Sequence, residues 1–258
     1  MQLLTDSPNK DFSLGYFAEL FGCAKSSISE DLQVVRAAAE TSGLGYVETT
    51  AGARGGVRYV PYIKPESAIE ELRHYAEELQ KPDRILGSGF IYTTDLMFSP
   101  GFTRAVAMQF ARRFAAVDAD MVVTVETKGI GVALRTAQML NLPLVVIRRE
   151  AKVSEGSTIS INYFSGSADR IQKMSLSKRS VAPGSKGIII DDFMRGGGSV
   201  VGMQDMLREF DAQCAGVGVV MVAGGRDNKK IGEYFPVYVL DESVSPWRVD
   251  INPDIVVQ

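Results

Sequence analysis

The chain has 258 residues, 45% of them hydrophobic and 23% charged, and its formal net charge is −3. This length suits one large domain or two modest ones, and the composition is that of an ordinary folded protein. The net charge does not indicate a general partner of polyanions. No apolar run reaches the roughly 18–20 residues that span a bilayer, and MQLLTDSPNK lacks the features of a secretion signal. We therefore expect a cytoplasmic protein without a membrane partner.

Cysteine and histidine indicate no reactive or metal site. Cys23 and Cys214 lie far apart and have no metal-type spacing, which fits a reducing cytoplasm. His74 is the single histidine of the chain and stands in the charged helical stretch ELRHYAEELQ. We expect it on the surface, because a metal or nucleophile site needs partners that the sequence does not supply.

The first 65 residues predict helices followed by a hairpin. Apolar side chains in Leu14–Phe21 follow the i, i+3, i+4, i+7 spacing of an amphipathic helix, which Gly22 ends. A second helix follows, with Ser26 or Ser27 as its N-cap and Glu30 as a capping-box partner of Ser27. We expect its buried stripe to consist of Ile28, Leu32, Val35 and Ala39. The pattern then changes to period two in Gly45–Thr50 and Val57–Val60, which the turn AGARGG joins.

This order of elements is typical of a winged helix, whose second paired helix enters the major groove of DNA. Short hydroxyls and a cation at that helix's N-terminus suit phosphate contacts, and the hairpin adds further cations. The candidate DNA-binding residues are Lys25, Ser26, Ser27, Ser29, Arg36, Arg54 and Arg58. The alternative is an ordinary helix start and a solvated loop arginine. Residues 1–66 hold six Lys/Arg and eight Asp/Glu, a net charge of −2, which predicts weak non-specific binding.

Pro61 and Pro65 mark a boundary, after which the pattern changes. We predict one domain over residues 1–65 and another over residues 66–258. A helix over Glu66–Gln80 is followed by alternating strands and helices, with strands at Met121–Val125, Leu144–Arg149, Gly187–Ile190, Ala215–Val222 and Val237–Leu240, and helices near Gly131–Leu140 and Ser199–Phe210. Such a pattern predicts an α/β fold with a parallel sheet and helices on both faces. The Ser/Gly-rich passage between Glu150 and Pro183 predicts a mobile hairpin over the ligand site.

The stretch GIIIDDFMRGGGS carries the predicted ligand site. Asp191 and Asp192 follow an apolar strand, and glycines precede the next helix. Backbone N–H groups at a helix start bind phosphate, glycine permits its close approach, and carboxylates accept hydrogen bonds from vicinal hydroxyls. A ribose 5-phosphate therefore fits, with a metal site and an ordinary tight turn as alternatives. The stretch lacks the GxxxxGK[ST] and GxGxxG patterns of other nucleotide sites.

IIIDDFMRGGGS resembles the phosphoribosyl-pyrophosphate (PRPP) motif of type I phosphoribosyltransferases, in the version found in the purine operon repressor family of Gram-positive bacteria (PurR type). Other stretches along nearly the whole chain agree in order: AKSSISEDLQVV, AGARGGVRYVP, VETKGI, EGSTISINYFSGS and RIQKMSLSKR. The resemblance implies a homodimeric, non-enzymatic transcriptional repressor, in which a winged helix is fused to a type I phosphoribosyltransferase-like domain. PRPP, bound with Mg²⁺, would lower its affinity for double-stranded operator DNA.

The resemblance also assigns individual residues. Asp191 and Asp192 would bind the ribose hydroxyls, and Lys128 would add a charge to the pyrophosphate loop. The full set implied for PRPP is Asp191, Asp192, Phe193, Met194, Arg195, Gly196, Gly197, Gly198, Ser199, Thr127, Lys128, Gly129 and Phe90. Guanosine tetraphosphate competes for this site in relatives, and a similar pocket would admit it. No cofactor is obligatory.

Two departures and two alternatives accompany the resemblance. Gly196–Ser199 stands where the family tends to have Ala-Gly-Gly-Thr, and Phe90 where it tends to have tyrosine. One alternative is an active purine phosphoribosyltransferase, some of which place a general-base aspartate where this chain has Arg195. The other is an adaptor with a degenerate site, which would not need to retain both aspartates.

Overall fold

The computed structural model describes residues 1–43, 45–50, 56–86, 90–150, 156–165, 170–224 and 231–255. Arg54, a candidate DNA contact at the hairpin tip, lies outside the described residues. No helix in these ranges is long and apolar enough to cross a membrane.

Residues 1–61, here called the N-terminal module, form three helices and a small sheet within the described ranges. The helices are α1 (Gln2–Asp6), α2 (Leu14–Phe21) and α3 (Lys25–Ser42). The strands are β1 (Phe12–Ser13), β2 (Gly45–Thr50) and β3 (Gly56–Pro61), paired antiparallel in the order β1-β3-β2. Their shared core consists of Leu4, Phe12, Phe17, Ile28, Ala39, Val47, Val57 and Tyr59. The predicted helices and hairpin are confirmed.

The start of α3 differs from the prediction. The helix begins at Lys25 with Ala24 as its N-cap, and no side chain caps it, so the predicted capping by Ser26 or Ser27 is wrong. Because the helix starts earlier than expected, both serines lie within its first turn and are exposed. The predicted buried stripe of α3 is confirmed, although its four residues are buried to different extents. Ile28 and Ala39 are buried, and two further stripe residues are partly buried, namely Leu32 and Val35.

Residues 65–255, here called the C-terminal module, alternate helices and strands. The helices are α4 (Pro65–Leu79), α5 (Thr94–Met97), α6 (Pro100–Phe114), α7 (Ile130–Leu140) and α8 (Gly198–Arg208). The strands are β4 (Ile85–Leu86), β5 (Phe90–Ile91), β6 (Met121–Val125), β7 (Leu144–Ile147), β8 (Thr158–Ser165), β9 (Arg170–Ser177), β10 (Lys186–Met194), β11 (Gln213–Ala223), β12 (Phe235–Asp241) and β13 (Arg248–Ile251).

Among the described residues, six strands form the central sheet in the order β13-β12-β11-β10-β6-β7. The predicted parallel sheet is confirmed for the five strands that the sequence indicated, β6, β7, β10, β11 and β12. The additional edge strand β13 pairs antiparallel with β12, so the whole sheet is mixed. The short connection from β12 to β13 explains this edge, since a parallel pair needs a long crossover.

Both faces of the sheet are covered, as predicted. One face packs with α4, α6 and α7, where Leu72, Phe102, Val106 and Val132 meet the sheet residues Val122 and Ile188. The other face packs with α8 and the β8–β9 hairpin. The predicted hairpin is confirmed, and it packs against α8, since a Cβ on Gly202 would come within 2.9 Å of Cγ of Tyr163. Its mobility and its position over a ligand stay predictions.

The predicted domain boundary falls between β3, which ends at Pro61, and α4, which begins at Pro65. The connecting residue Ile63 packs with three residues of the C-terminal module, namely Ala68 of α4, Met108 of α6 and Met139 of α7. The division at residues 65 and 66 stays a prediction.

Candidate functional site

The paired aspartates lie inside a strand and not beyond its end. β10 continues to Met194, and Asp191 pairs with Val219 of the long strand β11. The prediction that the strand ends at Ile190 is therefore wrong, because β11 extends far enough to provide main-chain partners for these residues. On its other side, β10 pairs with β6 at Gly187–Ile189 in the described residues. The aspartates thus follow the point where β6 diverges, at the carboxyl end of the sheet, where ligands of such folds bind.

The turn between β6 and α7 occupies this opening. A Cβ built on Gly129 would lie 2.8 Å from Oγ1 of Thr124 and 3.5 Å from the backbone nitrogen of Asp192. The predicted pyrophosphate loop, Thr127–Gly129, therefore lies beside the aspartates. Burial raises the pKa of Asp192, and the hydrogen bond to Asp191 and the charge of Lys128 oppose this rise. The structure thus brings Lys128, Gly129 and Asp192 together.

Asp191 is buried and incompletely paired. Its side chain is 3% exposed. Oδ1 accepts the N–H of Asp192 at 3.0 Å, whereas Oδ2 is buried without a hydrogen-bond partner in the described structure. Burial raises the pKa of Asp191 well above its usual range, and the neighbouring Asp192 raises it further. Such an oxygen is costly to leave unpaired, and a ligand hydroxyl that donates to it would remove this cost.

The glycine loop leads into a helix start suited to an anion. Gly197 is the N-cap of α8, has φ of +83°, and provides no side-chain cap. The first described helical bond runs from the Val201 N–H to the Gly197 carbonyl at 3.0 Å. The N–H groups of Gly198, Ser199 and Val200 precede it and have no acceptor within the helix. Their partial positive charge favours a phosphate at this position.

Side chains around the loop have other partners. The Arg195 guanidinium donates two hydrogen bonds to Glu242, at 2.6 and 2.8 Å, and lies 5.9 Å from the ring centre of Phe193. Met194 is buried in the core that contains α8, and Phe193 packs against the opposite core. These three side chains therefore have partners within the protein, and their assignment to the ligand stays a prediction.

The predicted DNA-binding residues divide into two groups. Lys25, Ser26, Ser27 and Ser29 are exposed at the start of α3. Arg36 donates to the Val47 carbonyl at 3.3 Å and to the Thr49 hydroxyl, so it joins α3 to β2. Arg58 forms an ion pair with Glu48 at 2.6 Å across the hairpin. Arg36 and Arg58 thus have partners within the N-terminal module, and their predicted contact with DNA stays a prediction.

Two family models match the chain. The model described as bacterial purine repressor, N-terminal, matches residues 1–61, and that of the phosphoribosyl transferase domain matches residues 100–253. The purine biosynthesis transcriptional repressor PurR of Bacillus subtilis (strain 168) is 45% identical over 237 residues, which cover 92% of this chain and 83% of that protein. The chain belongs to the PurR family of purine biosynthesis transcriptional regulators.

Other PurR relatives differ in their described effect on transcription. The activator PurR of Lactococcus lactis subsp. lactis (strain IL1403) is 39% identical over 256 residues, covering 99% of this chain and 92% of that protein. Among solved structures, adenine phosphoribosyltransferase from Rhodothermus marinus has a TM-score of 0.54 at 18% identity and covers 66% of this chain and 97% of that one. At this identity, the likeness shows the fold of the C-terminal module alone.

Sequence reasoning missed a basic and acidic group beside the site of this PurR-family chain. Glu126 accepts the Arg149 N–H at 2.6 Å and an Arg148 guanidinium N–H at 3.4 Å. Burial and Asp192 raise the pKa of Asp191, and the charge of Arg149 opposes this rise. The pair of arginines at the end of β7 could have predicted this group. Because β7 lies beside β6 and runs parallel to it, both strands end at the same edge of the sheet.

Two aromatic residues complete the description of this PurR-family site. Tyr163 is buried on the β8–β9 hairpin, donates to Oε1 of Gln172 at 2.6 Å, and interacts with Ser199 at the start of α8. Phe90, predicted to contact the ligand, is 54% exposed and pairs with Leu86 in a separate two-stranded sheet. No described contact brings Phe90 to the aspartates.

Proposed function

We propose that this PurR-family chain is a repressor that binds operator DNA through residues 1–65 and senses PRPP through residues 66–258. The observation that carries the sensing role is the buried, unpartnered Oδ2 of Asp191 beside the uncapped start of α8. A molecule with a sugar diol and a phosphate would donate a hydroxyl hydrogen bond to Oδ2 of Asp191 and place its anionic group at the start of α8. PRPP has both groups, and a pyrophosphate to contact Thr127–Gly129.

The residue assignments follow from this placement. Asp191 and Asp192 bind the ribose hydroxyls, and Lys128 adds a positive charge to the backbone N–H groups of the pyrophosphate loop. The 5-phosphate contacts the loop from Arg195 to Ser199 through its N–H groups. Arg195, Phe193 and Met194 serve as positioning residues, because their side chains are held by Glu242 or by the cores.

The remaining elements of the proposal concern ions, competitors and assembly. Magnesium travels with PRPP and is held mainly by oxygens of the ligand. Among the described residues, no group of three or more His, Cys, Asp or Glu side chains is arranged to hold a metal. Guanosine tetraphosphate competes for the same pocket. The protein acts in the cytoplasm as a homodimer, as the family resemblance implies.

The direction of regulation is repression, relieved when PRPP lowers the affinity for DNA. The Bacillus subtilis relative, at 45% identity, is described as a repressor, whereas the Lactococcus lactis relative, at 39%, is described as an activator. A promoter fusion with and without the gene distinguishes the two, since repression predicts higher expression in the gene's absence.

The alternative function is that of an active purine phosphoribosyltransferase, with which the fold of the C-terminal module is compatible. In this chain, Arg195 stands where some purine-using enzymes have a general base, and Glu242 neutralises it. We propose that the module binds PRPP without consuming it. Incubation with PRPP, Mg²⁺ and each purine base tests this, because nucleotide release at an enzyme's roughly 1–1000 turnovers per second would support the alternative.

The ligand assignment is tested with Asp192→Ala. Loss of hydrogen bonds to a carboxylate costs about 1.5–3 kcal/mol each, so calorimetry is expected to show PRPP affinity reduced about 10- to 100-fold. DNA affinity without PRPP is expected to stay unchanged.

Asp118→Ala is the matched control for this experiment. It removes the same group from an exposed position, where Asp118 pairs with Lys186 at the opposite end of β10. Equal PRPP affinity in Asp192→Ala and in the parent protein would reject the ribose assignment.

A further inference from the structure

Helix α7 connects the predicted PRPP loop directly to the N-terminal module. It begins immediately after Gly129, whose carbonyl accepts the Ala133 N–H at 2.9 Å. Its 11 residues span about 16 Å at 1.5 Å per residue. At its far end, the Met139 carbonyl accepts a hydrogen bond from the Asn9 side-chain amide at 2.6 Å. The same helix therefore touches the ligand loop with one end and the N-terminal module with the other.

The Asn9 contact suits a joint between the modules. The last carbonyls of a helix have no partner within it, and they carry a partial negative charge. The Asn9 amide supplies an N–H donor to one of these carbonyls from the other module. This hydrogen bond is partly buried, and Met139 itself is buried with Ile63, Ala68 and Met108. A displacement of the C-terminal end of α7 would therefore move Asn9 or break its hydrogen bond to Met139.

Asn9 is in turn fixed to the strand that carries the wing. Its own N–H donates to the Tyr59 carbonyl of β3 at 2.8 Å, and its φ of +58° places it in the left-handed region. β3 pairs with β2 along the hairpin, and Arg36 joins β2 to α3. The path from Asn9 therefore runs through main-chain hydrogen bonds to the hairpin, and from the hairpin through the Arg36 side chain to α3.

The near end of α7 is equally restricted. A Cβ on Gly131, in the first turn, would lie 2.7 Å from the Met97 carbonyl, and a Cβ on Gly129 would meet Thr124. Because both glycines pack closely against their neighbours, the start of α7 has little free space in which to absorb a rearrangement of the loop by a ligand. Packed elements of this kind transmit small shifts as rigid bodies.

We propose that α7 transmits PRPP binding to the DNA-binding surface, with the Asn9–Met139 hydrogen bond as its joint. This inference rests on the proposed sensing of PRPP and adds the route of the signal. Two states of the joint, bonded and displaced, bind PRPP unequally, which is the requirement for coupling between sites. Direct competition between PRPP and DNA for the same cations would not need this joint.

Asn9→Gly tests the proposal. Glycine keeps the left-handed backbone and the N–H donor to Tyr59, and it removes the amide that reaches Met139. We expect PRPP affinity and PRPP-free operator affinity within about threefold of the parent. The factor by which saturating PRPP weakens operator binding, about 5- to 150-fold for typical coupled sites, is expected to fall at least threefold.

Asp211→Gly is the matched control, because Asp211 has φ of +55° in a turn after α8, away from the joint. It is expected to keep the full PRPP effect. Asn9→Asp is a second variant in case Asn9→Gly does not fold, since aspartate tolerates this backbone and lacks the donor.

The outcomes are distinct. A parent protein whose operator affinity does not respond to PRPP overturns the proposed function and this inference together. A responsive parent with an equally responsive Asn9→Gly overturns the inference alone. Equal loss of operator affinity with and without PRPP in Asn9→Gly also overturns it, because the contact would then be purely structural.

Discussion

Asp191 combines three properties that rarely occur together in a structural residue. It is buried, its neighbour is a second carboxylate, and one of its oxygens lacks a partner in the described structure. Each property raises the free energy of the protein without ligand. A ligand that supplies the missing donor would remove this cost, which is why we propose that these residues serve recognition and not stability.

The Asp191→Asn substitution measures this cost as a pH-dependent increase in the free energy of unfolding. Burial raises the pKa of Asp191 above its value in the unfolded chain, so its ionisation destabilises the folded state as pH rises through that pKa. At pH 7 we expect Asp191→Asn to raise the free energy of unfolding by about 1 kcal/mol. The gain is expected to disappear at acidic pH, where Asp191 is protonated in both states.

Urea titrations at several pH values measure this difference. Asp118→Asn is the control, since Asp118 is exposed and Lys186 lowers its pKa. An Asp191→Asn gain that is absent at pH 7, or that is equally large at acidic pH, would show that burial of the charge does not determine the effect.

The sequence identified the paired aspartates and the glycines but not their surroundings. The types of Asp191, Asp192 and Gly197 follow from what a sugar phosphate requires, and this is visible in one short stretch. The contacts of Arg195 with Glu242 and of Asn9 with Met139 join residues far apart in the chain. Such pairs depend on how strands are ordered in the sheet, which local patterns do not specify.

At the scale of elements, hydrophobic spacing predicted the helices and strands well and their ends less well. Leu14–Phe21 and Met121–Val125 have the predicted bounds. β10 extends past its apolar run because β11 offers main-chain partners to acidic residues as readily as to apolar ones. α3 starts before its expected serine cap, since Ala24 already adopts the extended backbone of an N-cap. In both cases main-chain geometry decided the boundary.

Single substitutions test the predicted contacts of DNA with the start of α3 and with the hairpin tip. Lys25→Ala removes an exposed cation from this helix start, and Arg54→Ala removes the one predicted at the hairpin tip. Each change is expected to weaken operator binding and to reduce the slope of log affinity against log salt by about one unit. Fluorescence anisotropy over a range of salt concentrations measures the slope.

Lys64→Ala is the control for both changes. It removes the same charge at the exposed residue before α4. A slope unaltered by Lys25→Ala would remove this residue from the DNA interface, and a slope equally reduced by Lys64→Ala would show a general charge effect.

At the scale of the whole molecule, we propose that α7 connects the ligand site of the C-terminal module to the DNA-binding surface of the N-terminal module. The N-terminal module has its own core, and the connecting residue Ile63 packs with Met139 of α7 in the C-terminal module. The sequence predicted both modules because each has its own periodicity. It did not predict the route between them, since a hydrogen bond across 130 positions leaves no periodic pattern.

One titration tests the central claim most directly: operator DNA is titrated with the full chain in the absence and presence of saturating PRPP and Mg²⁺, at constant ionic strength. Pyrophosphate with ribose 5-phosphate serves as the control for charge alone. The account predicts that PRPP weakens operator binding at least fivefold, within the usual range of coupled sites, and that the control mixture does so far less. Operator affinity that is the same with and without PRPP would contradict the account.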